Sequence, residues 1–288
     1  MITKTVYKNR EEWLEYRKGS PMMGSSDIGT ILGLNPYCTP YQFWVNYHTQ
    51  AAQEQSNDSV LRGQYKEDAI ARLFAAKTGE RIIKRSAEIE VYHNDKYPDY
   101  VQVAPDRMLF ARGRRTRGIV EIKDTRMPIV AVDKENTPKM WYCQLMYQMG
   151  VMELDWGYLG IENGIKELVY GLFDFDAETQ GYIMAYCCEW FERYILGTDI
   201  PPVETGEDAR LAWPVAEDKI RLIGAETMQQ IRTLKEQKRQ RKELDEKIKK
   251  TEDDLRIFFE DYTALEYEGN IVATYRGAED KPRKLLLK

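Results

Sequence analysis

The stretch "GIVEIKDTR", residues 118–126, is a short apolar run that carries one carboxylate and one lysine two positions apart. In an extended chain successive side chains alternate between two faces, so Glu121 and Lys123 point one way while Val120 and Ile122 point the other. An inward-facing glutamate and lysine are costly unless they are paired, hydrated or bound to a metal ion. The sequence therefore predicts a buried strand with a polar site on one of its faces.

The composition is that of an ordinary globular protein with an acidic net charge. The chain has 288 residues, of which 43% are apolar and 31% are charged, and its formal net charge is −5. This length favours one sizeable domain with an appendage, or two small domains. No apolar run approaches the ~20 residues that span a bilayer, and the polar N-terminus lacks the apolar segment of a signal peptide. We therefore expect a cytoplasmic protein without a membrane partner.

Cysteines and histidines are few, which limits the chemistry that the chain can perform. Cys38, Cys143, Cys187 and Cys188 include no C-x-x-C pair, so we expect reduced thiols and neither a zinc site nor an iron–sulfur cluster. The two histidines of the chain disfavour histidine-based catalysis. A metal would then be held mainly by oxygen atoms, which points to Mg²⁺, with Mn²⁺ as a substitute.

Basic residues are concentrated in two places. Arg112, Arg114, Arg115 and Arg117 stand within six residues, directly before the acidic strand, and residues 235–250 hold eight Lys/Arg against four Asp/Glu. An acidic protein with focused basic patches can still steer a polyanion to one place. The arginine cluster is therefore a candidate nucleic-acid contact, and its alternative interpretation is a solvated loop.

Hydrophobic periodicity predicts an α/β fold with a C-terminal extension. We expect helices over 11–18, 62–78, 138–152 and 176–195, and strands over 81–92, 100–110, 118–124, 155–161 and 166–174. Elements in this order indicate a mixed β-sheet flanked by helices. Residues 201–214 have the composition of a linker, and 215–288 indicate one or two long helices followed by a hairpin-like segment.

A second acidic residue precedes the arginine cluster. The segment Ala104-Pro105-Asp106 closes the preceding strand, and a hairpin here would place Asp106 beside Glu121. Two neighbouring carboxylates repel each other unless a cation lies between them. A divalent ion held by Asp106, Glu121 and the carbonyl group of Ile122 satisfies this charge. Lys123 would then orient the attacking water or stabilise charge on a phosphate.

Two further polar residues are predicted to face the same cleft from helices. Glu67 shares a helix face with Ile70 and Phe74, where a charge is expensive without partners. Gln144 shares a face with Tyr147, an inward position for an amide. We expect Glu67 to contact the metal directly or through water, and Gln144 to position Lys123 or the substrate. The alternatives are a surface carboxylate and a satisfied buried amide.

With these residues assembled, the chain resembles the YqaJ/lambda-exonuclease family of phage recombination nucleases, within the PD-(D/E)xK restriction-endonuclease-like superfamily. The resemblance covers about residues 11–195 and is carried by the segments "WLEYRKG", "GSSDIGTILGLNPYCTPYQFW", "RGQYKEDAIARLFAAKTG", "APDRM", "VEIK" and "TPKMWYCQLMYQMGV". It implies a nuclease core over 1–200 with a restriction-endonuclease-like sheet, followed by the linker 201–214 and a helical arm with a terminal β-like piece over 215–288.

The resemblance also implies roles for individual residues. Asp106 and Glu121 would bind catalytic Mg²⁺, Lys123 would serve the water nucleophile, and Glu67 and Gln144 would complete the site. Arg17 and Ser26 match positions associated with the 5′-phosphate of a DNA end, and Ser25 is expected to contact DNA beside them. The family usually has glycine after the metal-binding aspartate. Here Arg107 follows it, and this arginine would contact a phosphate or narrow the cleft.

The activity implied by the resemblance is Mg²⁺-dependent 5′→3′ exonuclease action on linear double-stranded DNA ends. Such an enzyme would act in phage-type homologous recombination as a homotrimer, together with a single-strand annealing protein that binds the exposed strand. Two alternatives remain from the sequence. One is a phage-type endonuclease, and the other is a DNA-end binding protein of nuclease fold with little or no cleavage.

Overall fold

A computed structural model of the chain describes residues 1–49, 58–83, 88–110, 116–164, 168–215, 218–278 and 281–288. The chain divides into two compact units, Met1–Val215 and Ala216–Lys288.

The described helices and strands are numbered here in chain order. The helices are α1 (Arg10–Gly19), α2 (Ile28–Ile31), α3 (Pro40–Thr49), α4 (Asp58–Thr78), α5 (Lys139–Val151), α6 (Ala177–Phe191), α7 (Gly206–Ala212) and α8 (Ala225–Phe259). A short π-helical turn, Glu192–Leu196, continues α6. The strands are β1 (Ile2–Tyr7), β2 (Arg81–Ile83), β3 (Ile89–Asn94), β4 (Arg107–Phe110), β5 (Arg117–Asp124), β6 (Trp156–Glu162), β7 (Val169–Asp174), β8 (Ala264–Tyr267), β9 (Asn270–Ala278) and β10 (Lys281–Leu287).

A five-stranded sheet forms the centre of the first unit, with the strand order β2-β4-β5-β6-β7. Strands β5 and β6 are parallel, and the other neighbouring pairs are antiparallel. Parallel neighbours need a crossover connection, and α5 lies in the segment that joins β5 to β6. The predicted mixed sheet flanked by helices is confirmed.

Helices cover the two faces of strand β5. On one face Ile122 is buried with Phe74 of α4, and on the other Ile119 belongs to the same buried cluster as Leu145 of α5. Because side chains alternate along a strand, Glu121 projects from the face that α5 covers. The predicted alternation along this strand is confirmed, and it brings the acidic side chain against a helix.

Helix α2 is held close to α5, and this contact positions the loop that precedes α2. A Cβ atom on Gly29 would lie 2.7 Å from the Cβ atom of Met140, so only glycine allows the two helices this approach. The hydroxyl group of Tyr147 donates a hydrogen bond to the carbonyl oxygen of Met23 at 2.9 Å. The loop over residues 24–27 is therefore held close to α5 at both of its ends.

Two of the strand predictions are wrong in detail. The run 81–92 is not one strand, because β2 pairs with β4 in the central sheet while β3 pairs with β1, a strand that the sequence did not indicate. Of the run 100–110 only β4 is a strand. Val101 and Val103 make isolated β-bridges to Met23 and Tyr92. Pro105 follows them, and it has no backbone N–H group to donate to a neighbouring strand.

Residues 201–214, which we expected to be a linker, include helix α7 and belong to the first unit. Thr205 and Asp208 form a capping box at the start of α7. Asp208 is fully buried and accepts a hydrogen bond from the hydroxyl group of Thr39 at 2.7 Å. The polar composition of this segment therefore suggested a linker, whereas the segment forms a helix that packs on the first unit.

The second unit consists of one long helix and a small sheet. Helix α8 has 35 residues, and the sheet has the antiparallel order β10-β9-β8, where a hairpin was predicted. Phe259 at the end of α8 is fully buried and contacts the ring of Tyr275 in β9, with the ring centroids 5.6 Å apart. The C-terminal helical extension is confirmed. Within the described ranges, no helix is both long and apolar enough to cross a membrane.

Candidate active site

A cleft of about 200 Å³ opens in the first unit and gathers seven of the residues singled out in the sequence. They come from α1, the loop before α2, the end of the segment before β4, strand β5 and helix α5, and they are Arg17, Ser25, Ser26, Asp106, Glu121, Lys123 and Gln144. Chain segments that are more than a hundred positions apart in the sequence thus meet in one cleft.

Asp106 lies beside Glu121 as the hairpin prediction required. Arg107 is the register partner of Val120 in the antiparallel pair of β4 and β5, which sets the preceding Asp106 at the level of Glu121. One oxygen of Asp106 accepts a hydrogen bond from the backbone N–H group of Ile122 at 2.7 Å. Burial, followed by the negative charges of Glu121 and Glu67, raises the pKa of the Asp106 carboxyl group well above its ordinary value.

Glu121, Lys123 and Gln144 form a closed set of hydrogen bonds. The Nζ atom of Lys123 donates to Oε1 of Glu121 at 2.8 Å and to Oε1 of Gln144 at 2.9 Å. The amide nitrogen of Gln144 donates to the same Oε1 of Glu121 at 2.6 Å. Glu121 is 4% exposed and Gln144 is 7% exposed, so both side chains are held in a single arrangement by buried contacts.

Gln148 belongs to this network, which the sequence did not indicate. The amide nitrogen of Gln148 donates to Oε2 of Glu121 at 2.9 Å and to the hydroxyl oxygen of Ser25 at 3.1 Å. Its side chain is fully buried, and its carbonyl oxygen Oε1 has no hydrogen-bond partner among the described residues. The available signal was a second glutamine four positions after Gln144, on the same face of an apolar helix.

Arg17 enters the cleft from α1 and is held by two neighbours. Its guanidinium group lies 4.9 Å from the ring centroid of Trp13 and 3.7 Å from a carboxylate oxygen of Asp27. Burial raises the pKa of the Asp27 carboxyl group, and the nearby charge of Arg17 opposes that rise. Ser26 is exposed at the same part of the cleft. The helix α2 begins after Asp27, so Ser26 is not its N-cap.

Glu67 and Arg107 contact each other outside the set of residues that line the cleft. The guanidinium group of Arg107 donates to the Glu67 carboxylate, to Asp68 at 3.2 Å and to the carbonyl oxygen of Asp106 at 2.7 Å. Its side chain is only 6% exposed. In this structure the guanidinium group is buried and bound to carboxylates, and the predicted contact of Arg107 with a DNA phosphate stays a prediction.

The remaining predicted DNA contacts lie mostly beyond the described residues. Arg112, Arg114 and Arg115 fall in the segment 111–115, outside the described ranges. Arg117, the last arginine of that cluster, begins β5 and lies 5.2 Å from the ring centroid of Phe110. The predicted basic contact by the first three arginines stays a prediction.

The donor atoms at Asp106 and Glu121 fit a hard divalent cation. Two carboxylates share a buried position with Lys123 as a neighbouring cation. Burial, and after it the repulsion from Glu121, raises the pKa of Asp106. A cation between them would remove this repulsion. In the described part of the chain no three His, Cys, Asp or Glu side chains are grouped to hold a metal, so a third protein ligand would be a backbone oxygen such as that of Ile122.

A mixed sheet that presents Pro105-Asp106 on one strand end and Glu121-x-Lys123 on the next has the arrangement of the PD-(D/E)xK superfamily. The chain belongs to the YqaJ-like viral recombinase domain family, whose sequence profile matches residues 12–155. The suspected family is thereby confirmed, and membership supports a nuclease that acts in recombination.

Individual similar proteins cover most of the chain at low identity. "Uncharacterized protein YqaJ" of Bacillus subtilis (strain 168) is 26% identical over 268 residues, which are 86% of this chain and 80% of that protein. An alkaline exonuclease (LHK-Exo) from Laribacter hongkongensis has a crystal structure that is 16% identical, with a TM-score of 0.46, over 65% of this chain and 95% of its own. A phage related exonuclease from Haemophilus somnus 129PT is 12% identical, with a TM-score of 0.41, over 61% and 95%.

Proposed function

We propose that this protein is a Mg²⁺-dependent deoxyribonuclease that acts as a 5′→3′ exonuclease on linear double-stranded DNA ends. The observation that carries the proposal is the arrangement around Glu121, whose carboxylate contacts Lys123 and Gln144 in the cleft that also contains Asp106. Membership in a viral recombinase family supports a role in phage-type homologous recombination.

Mg²⁺ would be held by the carboxylates of Asp106 and Glu121 and by the carbonyl oxygen of Ile122. Oxygen donors of this kind suit Mg²⁺, and Mn²⁺ accepts the same ligands. When bound, the ion would polarise the phosphodiester and lower the pKa of a bound water. The hydrogen bond from the Ile122 N–H group to Asp106 orients the first carboxylate, and the two glutamine amides orient the second.

Lys123 would stabilise the negative charge that develops on the phosphate and orient the attacking water. Its Nζ atom is held between Glu121 and Gln144 at 2.8 and 2.9 Å, which leaves one of its three N–H donors for the substrate. A preorganised donor in a buried site stabilises a transition state without the cost of reorganisation. Gln144 therefore acts as a positioning residue for both the acid and the amine.

Arg17, Ser25 and Ser26 would bind the terminal 5′-phosphate. A guanidinium group that packs on the ring of Trp13 and lies near Asp27 has little freedom, so it would bind phosphate without further ordering cost. The hydroxyl group of Ser26 is exposed at the same part of the cleft. Recognition of an end phosphate would make the activity depend on DNA ends.

The assembly and partners follow from the family resemblance. We propose a homotrimer that acts in the host cytoplasm together with a single-strand annealing protein, and Arg112, Arg114 and Arg115 as additional DNA contacts. The alternatives, internal cutting and end binding without cleavage, are outcomes of the experiment below.

The test is digestion of linear, 5′-phosphorylated duplex DNA in Mg²⁺ by the full chain and by Glu121→Ala and Lys123→Ala. We expect the wild type to degrade linear DNA and to spare circular DNA, and each variant to lose activity by about 10³-fold, as for loss of a metal ligand or a main charge stabiliser. A matched control is Lys96→Ala, which removes an exposed lysine that pairs with Glu153. Equal digestion by all proteins, or binding of DNA ends without digestion by any of them, would refute the proposed nuclease activity of this site.

A further inference from the structure

Arg107 stands directly after the acidic residue Asp106, and its side chain lies outside the set of described residues that line the cleft. It is the register partner of Val120, and partners across a strand pair share a sheet face. Val120 packs with Phe74 of α4, so the arginine projects toward α4. There its guanidinium group binds Glu67 and Asp68 of that helix.

We propose that Arg107 keeps Glu67 out of the metal site, so that Asp106 and Glu121 are the only carboxylate ligands and each chain binds one divalent cation. This inference rests on the proposed function. Asp106 and Glu121 line the cleft, whereas Glu67 is not among the described residues that do.

Burial makes the Arg107–Glu67 contact hard to break. The guanidinium group is 6% exposed and the Glu67 side chain 31%. Without Glu67 the buried cation would keep the longer contact of 3.2 Å to Asp68, and loss of one carboxylate partner from a buried charge is costly. Glu67 would have to abandon this partner in order to reach an ion in the cleft. Within the described residues no third acidic side chain is grouped with another two to hold a metal.

The local charge supports a single ion. Arg72 and Arg107 balance the carboxylates of Glu67 and Asp68. The negative charge that faces the cleft is therefore that of Asp106 and Glu121, which Lys123 partly offsets. These two carboxylates provide for one divalent cation, and a second ion would have no carboxylate of its own. With glycine at position 107, Glu67 would lose the charge of Arg107 and could contribute to a further site.

The experiment measures Mn²⁺ binding to the full chain without DNA, by calorimetry and by the electron paramagnetic resonance of free Mn²⁺. We expect one Mn²⁺ per chain in the wild type. Glu67→Gln should change the Kd by less than about threefold, as should the matched control Asp68→Asn, which removes the neighbouring carboxylate on the same arginine. Arg107→Gly should release Glu67 and add a second Mn²⁺ or lower the Kd about tenfold.

Two results would overturn the inference: two Mn²⁺ ions per wild-type chain, or a Kd that rises more than tenfold in Glu67→Gln and not in Asp68→Asn. Because Glu67→Gln preserves the size of the side chain, the decision stands even if Arg107→Gly does not fold. Either result with DNA digestion intact contradicts this inference alone. Absence of Mn²⁺ binding together with absence of digestion would contradict the proposed function.

Discussion

Replacing Gln148 by leucine tests whether the buried amide of α5 holds the carboxylate of Glu121, the proposed metal ligand, in place. Glu121 receives hydrogen bonds on both oxygens, from Gln144 on Oε1 and from Gln148 on Oε2. The Gln148→Leu change removes the second of these bonds and the link to Ser25, while it keeps an apolar side chain of similar length in a fully buried position. Glu121 would then be able to rotate about its remaining contacts.

The size of the expected effect follows from the bond that is lost. A hydrogen bond to a charged group contributes about 1.5–3 kcal/mol, and each 1.36 kcal/mol corresponds to tenfold in rate. If the bond acts mainly in the transition state, kcat should fall about 10- to 100-fold with little change in KM.

Stability should change much less than activity in this variant. The Oε1 atom of Gln148 is buried without a partner in the described residues, and an unpaired buried acceptor costs about 1–3 kcal/mol. Leucine removes this cost, which offsets part of the loss of the two hydrogen bonds, including the bond to the Oε2 atom of Glu121. We expect a melting temperature within a few degrees of the wild type.

The assay is steady-state digestion of end-labelled linear duplex, with thermal unfolding measured on the same samples. The matched control is Gln180→Met, which removes another buried amide, one that donates to the hydroxyl group of Tyr97. An unchanged kcat in Gln148→Leu would refute the positioning role. Equal loss of kcat in both variants, in step with their melting temperatures, would reduce Gln148 to a structural residue.

Further predictions concern stability. Asp176 accepts a hydrogen bond from the N–H group of Thr179 at the start of α6 and pairs with Lys134, so Asp176→Ala should cost about 1 kcal/mol in urea unfolding at neutral pH. The hydrogen bond from Thr179 is the largest cause that lowers the pKa of Asp176, to about 2. A lowered pKa stabilises the fold at pH values above the unfolded pKa of about 3.9. The difference in unfolding free energy between wild type and Asp176→Ala should therefore shrink as the pH falls from about 4 to 2. A difference that is constant over this range would contradict the assignment. Gly29→Ala should lower the free energy of unfolding by about 1–3 kcal/mol, because its Cβ atom would lie 2.7 Å from the Cβ atom of Met140. Gly181→Ala in α6 places its Cβ atom where no atom lies within 4 Å. It should raise the free energy of unfolding by about 0.5–1 kcal/mol, because alanine favours a helix more than glycine does. Equal effects of the two alanines in thermal or urea unfolding would contradict the close packing of α2 on α5.

Strand β5, which carries Glu121 and Lys123, and its hairpin partner could be predicted from the sequence because their determinants are local. Alternation along a strand assigned Glu121 to one face, and helical spacing assigned Gln144 to the inner face of α5. Asp106 and Ile122 are 16 positions apart along the chain, so a short connection sets their register. The family segments extended this prediction over residues 11–195, and the profile match over 12–155 confirmed the family.

The tertiary structure decided the contacts whose partners are distant in sequence. The run 81–92 reads as one strand, yet β3 joins β1 from the N-terminus, because pairing depends on which edge is free and not on the strand's own residues. Arg107 and Glu67 are 40 positions apart, so no local pattern indicates that the arginine binds this acid instead of a phosphate.

Gln148 illustrates the division most clearly. Its position on an apolar helix follows from the sequence, but the angle at which α5 packs on the sheet selects the atom that its amide reaches. The sequence therefore determined which polar residues lie on the inner faces of the strand and the helix. Packing decided which of them contact each other, since a buried hydrogen bond depends on the positions of both partners in three dimensions.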